Sequence, residues 1–197
     1  MASDPIPPEL TLPPAEAEAV REAYAAARVI LEYGAGGSTV LAAKLPGKTV
    51  FSVESDKAWV ARLRDWFALH PVASPVTLHH AYIGRTRDWG FPKSLKQHTK
   101  WASYPIGIWD EPGFVAPDVV LIDGRFRMAC LLTVMLRTPH PVTVLWDDYG
   151  DRPHYHRVED LVAPVAMAGR LARFDITPRA LQPEMLRLLA DSYLDPR

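Results

Sequence analysis

Short, almost wholly apolar runs alternate along this chain with longer stretches whose apolar positions fall three and four residues apart. The apolar runs predict strands at Val29–Tyr33, Thr49–Val53, Val76–Tyr82, Asp118–Asp123 and Val142–Trp146, with a further strand at Arg170–Ile176. The periodic stretches predict helices. One starts at Pro14 and runs through Ala-rich sequence, and a second covers Ser38–Leu45, ended by Pro46-Gly47. A third covers Lys57–Leu69, with Trp59, Val60, Leu63, Trp66 and Phe67 on its apolar face. Arg125–Leu136, His154–Val162 and Gln182–Ser192 complete the set.

Strands that are apolar throughout, separated by helices, imply a parallel sheet covered on both faces. The expected fold is therefore α/β, a three-layer, doubly wound, mostly parallel sheet of about six or seven strands in a single domain spanning 1–197. In such sheets a ligand lies beyond the carboxyl ends of the strands, where the strand order reverses. The residues at those ends are Glu32–Gly37, Glu54-Ser55, Tyr82–Gly84, Asp123–Arg125 and Asp147–Tyr149. Two segments stand outside the alternation. Residues 4–14 hold five prolines and read as an extended arm. Residues 85–117 carry Trp89, Trp101, Trp109, Phe91, Tyr104 and Phe114, and read as a lid-like insertion over the pocket or as a satellite cluster packed under its own loop.

Composition narrows the partners. Of the 197 residues 48% are hydrophobic and the formal net charge is −1, so the chain lacks the basic excess that captures nucleic acid or an acidic membrane. The single cysteine, Cys130, sits among apolar neighbours and reads as a buried thiol. The first residues show no basic stretch followed by an apolar one, and no apolar run approaches the ~20 residues of a membrane span, so a cytoplasmic location is expected.

The chemistry starts at Glu32-Tyr33-Gly34-Ala35-Gly36-Gly37. Glycines where a strand turns into a helix let a ligand approach the backbone, and the helix start behind them offers free amides. A dinucleotide fingerprint would need glycine at position 39, which is Thr39, and would not need an acid at 32. Glu54 ends the second strand, where a carboxylate accepts both hydroxyls of a ribose. The two motifs together resemble those of the class I S-adenosylmethionine-dependent methyltransferases. The resemblance covers roughly residues 28–150 and implies strand order 3-2-1-4-5, with later strands beside the fifth. It implies S-adenosylmethionine as cofactor, with Glu32, Gly34, Gly36, Gly37 and Ser38 beside the methionine moiety. Glu54 and Ser55 then belong to the ribose, and Asp123 borders the reacting end. Two positions depart from the family pattern. Ser38 replaces a third glycine, and no acid follows the third strand, which leaves Tyr82 or Ile83 to pack on the adenine.

Asp123 with Asp147-Asp148 also resembles the metal site of catechol-type O-methyltransferases, which implies magnesium or calcium on three hard oxygen ligands. The same acids read equally as caps, turn formers, or a metal-free acid or base. Either His154 or His156, but not both, can face the pocket as a general base, because residues two apart on a helix point to opposite sides. Arg125 reads as a clamp for a substrate carboxylate or phosphate, or as the ion-pair partner of Asp123 or Asp148.

The residues therefore point to methyl transfer to a small-molecule acceptor, with Asp123, Asp148 and His154 or His156 around it. No nucleic-acid or membrane partner is expected, and a homodimer through the aromatic segment is open. Two other readings are a cofactor-binding scaffold without transfer activity and a nicotinamide-dependent oxidoreductase, the latter opposed by Glu32 and Thr39.

Overall fold

The computed structural model describes residues 9–197. Seven strands form one sheet in the order β3-β2-β1-β4-β5-β7-β6. They are β1 (Val29–Tyr33), β2 (Thr49–Glu54), β3 (Val76–His80), β4 (Val119–Ile122), β5 (Val142–Trp146), β6 (Ala166–Ala168) and β7 (Leu171–Ile176). The first five pair in parallel, and β7 returns antiparallel to β5 with β6 beside it. The register places Tyr33 between Val53 and Ile122, so the carboxyl ends of β2, β1 and β4 lie level. The order reverses between β1 and β4, which puts the crevice where the glycine turn leaves β1.

Helices α1 (Pro14–Ala26) and α2 (Gly37–Lys44) cover one face of the sheet. There Val20, Tyr24 and Ala42 pack on Ile30, Val50 and Leu121. Helices α5 (Arg127–Arg137) and α6 (Met185–Tyr193) cover the other, where the α5 side chains join Leu31, Val120 and Val144. Between them in the chain, α3 (Lys57–Leu69) starts on Asp56, whose carboxylate accepts from the amides of Ala58 and Trp59 at 2.8 and 3.0 Å. Strand β4, and β1 apart from Glu32, can be apolar because both of their faces are buried.

The 85–117 segment folds in two parts. Residues 85–93 form a hairpin at the strand ends, closed by hydrogen bonds from the Arg87 amide to Phe91 and from Lys93 to Arg85. The remainder, built from short turns and α4 (Ser103–Ile106), drives Trp101, Tyr104, Ile108 and Trp109 into the core beside α5. Trp109 Nε1 donates to the Tyr33 hydroxyl, which donates to the Pro105 carbonyl, both at 2.7 Å, so no buried polar atom of that trio is left unpaired.

Several elements differ from the sequence expectation, with α5 starting at Arg127 and α6 at Met185 rather than at Arg125 and Gln182. The α-helix expected at His154–Val162 is a 3-10 helix at Pro153–Asp160, and β3 ends at His80 rather than Tyr82. The short edge strand β6 carries too few residues to show a period. The proline arm expected over 4–14 lies outside the described residues as far as Pro8. From Glu9 its backbone runs against Gly37. Among the described residues no helix is long and apolar enough to cross a membrane.

Candidate functional site

The glycine turn is built by strand geometry below and a close backbone approach above. Gly34 has φ +110°, and a Cβ there would stand 2.8 Å from the Gly124 amide nitrogen, so the loops after β1 and β4 meet only because both residues lack side chains. A Cβ on Gly36 would meet nothing within 4 Å, so this face of the turn is open to a ligand. Gly37 is covered, since a Cβ on it would overlap the Glu9 carbonyl.

Glu32 does not face that opening. It is fully buried, and its two oxygens accept from Tyr24 at 2.7 Å and from Thr39 at 2.5 Å. The Thr39 hydroxyl also accepts from the Gly36 amide at 2.9 Å, which ties the acid to the turn from beneath. Burial raises the Glu32 pKa, against the pull of the hydrogen bonds from Thr39 and Tyr24. Ser38 is buried at the same place. The structure gives Glu32 and Ser38 a supporting place under the turn rather than the ligand-facing one expected.

Glu54 sits at the open end of β2. It accepts from the amides of Ser55 at 2.6 Å and Asp56 at 2.8 Å, and burial raises its pKa. Ser55 Oγ donates to the Gly90 carbonyl at 3.0 Å, so the 85–93 hairpin lies directly on the end of β2. Gly90 permits this approach, because a Cβ there would press on Ser55 Oγ at 2.6 Å. Tyr82 is exposed, whereas Ile83 is fully buried, with its carbonyl accepting from Trp101 Nε1 at 3.2 Å. Of these two, only Tyr82 presents a ring to solvent.

The three aspartates do come together, with a carboxylate oxygen of each within 4.8 Å of the others. Three arginines are interleaved with them. Arg127 Nη2 is 3.1 Å from both Asp123 and Asp148, and Arg152 Nη2 is 2.6 Å from Asp148. Arg170 reaches Asp148 through Nε at 2.9 Å and Asp147 through Nη2 at 3.1 Å. Three carboxylates thus meet three guanidiniums, and the charge a divalent cation would neutralise is already neutralised. The expected magnesium or calcium site does not fit this donor set. Asp148 takes a left-handed conformation, φ +59°, which aspartate tolerates and which aims its carboxylate at the arginines. The Asp123 pKa is raised to about 7 by burial, with Asp147 and Asp148 adding to the rise and Arg127 opposing it.

The histidines stand apart from this network. His154 is exposed, and desolvation with nearby Arg197 lowers its pKa. His156 Nε2 lies 3.1 Å from the Tyr149 carbonyl. Among the described residues neither hydrogen-bonds to Asp123, Asp147 or Asp148.

Arg125 behaves unlike its neighbour Arg127. It is 7% exposed, its guanidinium stacks 4.0 Å above the Phe91 ring, and it forms no ion pair among the described residues. Its Nε and Nη1 are buried without a hydrogen-bond partner. Its amide donates to the Tyr104 hydroxyl at 3.2 Å, which places Tyr104 over Gly124. An apolar groove of about 460 Å³ between α1, β4, β5 and β6 contains none of the candidate residues.

Comparison with known proteins bears on the fold and the family. A methyltransferase-like protein from Silicibacter pomeroyi, known from a crystal structure, is 48% identical over 96% of this chain and 99% of its own, with a TM-score of 0.92. The chain belongs to this methyltransferase-like family. Its fold is that of the class I S-adenosylmethionine-dependent methyltransferases. Two more distant structures share the fold. One is a 16S rRNA N2 methyltransferase from T. thermophilus in complex with AdoMet and guanosine, 15% identical over 86% of this chain and 44% of its own, TM-score 0.52. The other is an O-methyltransferase from Bacillus cereus in complex with SAH, 15% identical over 83% of this chain and 80% of its own, TM-score 0.51. No protein-family model matches the sequence, and no curated protein matches it. In this methyltransferase-like protein the residues that sequence reasoning missed are Tyr24, Tyr104, Arg127, Arg152 and Arg170. The four-residue spacings Asp123–Arg127 and Asp148–Arg152 were the available signals. Nothing in the sequence points Tyr24 or Tyr104 at their partners.

Proposed function

We propose that this protein binds S-adenosylmethionine in the crevice at the ends of β1, β2 and β4 and transfers its methyl group to a small-molecule oxygen or nitrogen nucleophile. The observation that carries the reading is the open face of Gly36 beside the Glu54 carboxylate. A turn that admits a ligand backbone-close stands next to an acceptor suited to two vicinal hydroxyls. The residues present fit the cofactor: the Gly34–Gly36 turn would hold its amino-acid end, and Glu54 with Ser55 its ribose. When bound, the cofactor supplies an electrophilic sulfonium methyl group. The chain's own part is to orient the acceptor, to exclude water under the 85–93 hairpin and, at Asp123, to take a proton from the nucleophile. A carboxylate with a pKa of about 7 keeps a useful ionised fraction at neutral pH and is a stronger base than an ordinary one. The near-zero net charge supports a small acceptor over a nucleic acid, and a cytoplasmic setting suits a chain whose one thiol is buried and unpaired.

Calorimetry with S-adenosylmethionine, S-adenosylhomocysteine and NAD tests the cofactor. The first two are expected to bind, with Glu54→Ala weakening them at least tenfold, and NAD is not. Transfer of labelled methyl to a metabolite panel then tests the reaction. Binding of NAD alone would overturn the reading.

A further inference from the structure

We infer that Arg125 is the anchor for a carboxylate group carried by a ligand of the crevice. A buried charge without a partner is costly, and guanidiniums inside proteins are as a rule paired. Arg125 breaks that rule at one place only, the end of β4, where the loops after β1 and β4 touch through Gly34 and Gly124 and where the 85–93 hairpin lays Phe91 on the guanidinium. The acids that would have paired it are committed elsewhere: Asp123 and Asp148 to Arg127, and Asp147 and Asp148 to Arg170. A guanidinium kept out of that network, desolvated and oriented by a ring, is preorganised for an anion that arrives with the ligand.

The charge balance narrows the anion. Arg127, Arg152 and Arg170 are each matched by a carboxylate. The amides of Phe126 and Arg127, at the start of α5, already donate to the carbonyls of Pro196 and Arg197. Arg125 is therefore the one buried guanidinium described at this end of the sheet without a carboxylate partner, whereas Arg85 and Arg87 on the hairpin are unpaired but exposed. A single positive charge suits a carboxylate better than a doubly charged phosphate, and the planar guanidinium matches the planar anion. Two sources carry such a group: the amino-acid end of the cofactor proposed above, on whose binding that arm rests, and the methyl acceptor.

Calorimetry and thermal unfolding on the full chain separate them, with Arg125→Met and Arg125→Lys as variants. The probes are S-adenosylhomocysteine, 5′-methylthioadenosine (which lacks the amino-acid end) and malonate at constant ionic strength. A loss of at least tenfold in S-adenosylhomocysteine affinity in Arg125→Met, with 5′-methylthioadenosine unchanged, assigns the anion to the cofactor. Unchanged nucleoside affinities, with malonate stabilising the wild type and not Arg125→Met, assign it to the acceptor. Arg125→Met without ligand is expected to melt at or above the wild-type temperature, because it removes an unpaired buried charge. Arg125→Lys is expected to retain part of the anion response. If wild type binds neither nucleoside yet responds to malonate through Arg125, the cofactor reading falls and the anion site stands. If no probe distinguishes wild type from Arg125→Met, or the variant melts several degrees lower with unchanged binding, Arg125 is structural and the inference is overturned.

Discussion

The Tyr24 hydroxyl, on the first helix, donates to the Glu32 carboxylate at the end of the first strand at 2.7 Å, and both residues are fully buried. With Thr39 on the other oxygen, the acid that opens the glycine motif belongs to the support of the turn. Removing the phenol leaves a buried carboxylate with one donor fewer, which costs about 1–3 kcal/mol. Tyr24→Phe is therefore expected to lower stability by that amount in urea unfolding. A change within a few tenths of a kcal/mol would show that Glu32 does not depend on this bond.

Arg127 and Arg125 are two residues apart yet predict opposite outcomes. Arg127 donates to the carbonyls of Asp123, Gly124 and Asp147 and pairs with two carboxylates, so Arg127→Met strands several buried acceptors. Breaking a buried pair from one side costs roughly 3–5 kcal/mol. Equal melting temperatures for wild type and Arg127→Met would refute the network as a stabilising element.

The raised pKa of Asp123 sets a pH dependence. The folded carboxyl titrates at about 7 and the unfolded one near its ordinary 3.8, so between those values the folded state binds more protons. The contribution of Asp123 to stability is therefore greatest below about pH 4 and falls as pH rises through about 7. Asp123→Asn lacks this term. The difference between the two melting profiles from pH 4 to 8 should slope accordingly, and a flat difference would contradict the assignment.

Charge balance among the aspartates and arginines predicts indifference to divalent ions. Neither EDTA nor millimolar magnesium should change the melting temperature or S-adenosylhomocysteine affinity. A magnesium-dependent rise would mean that the arginines give way to a cation.

The sheet was legible because β1, β2, β4 and β5 are buried on both faces and so carry apolar runs that no surface strand would. Strand β6 was not, since three residues on an exposed edge carry no period. For the candidate site, position was legible where the backbone decides it: Gly34, Gly36 and Glu54 stand at strand ends, and strand ends follow from the pattern. It was not legible where partners come from distant elements. Arg170 reaches Asp147 from the turn between β6 and β7, and Trp109 meets Tyr33 across the core. The same three aspartates look like a metal site in sequence because one of their counter-ions, Arg170, lies 23 and 22 positions beyond its partners Asp147 and Asp148.

The parallel pairing of β1 with β4 bears on biosynthesis. Everything from the glycine turn to Val119 must leave the ribosome before β1 can gain its second neighbour, so half of its backbone hydrogen bonds wait for the middle of the chain. Until then a strand that is apolar apart from Glu32 presents a bare edge to any other nascent chain. Slow translation between β3 and β4 would prolong that exposure, which makes the Trp-rich stretch there the interval in which this protein most needs a chaperone.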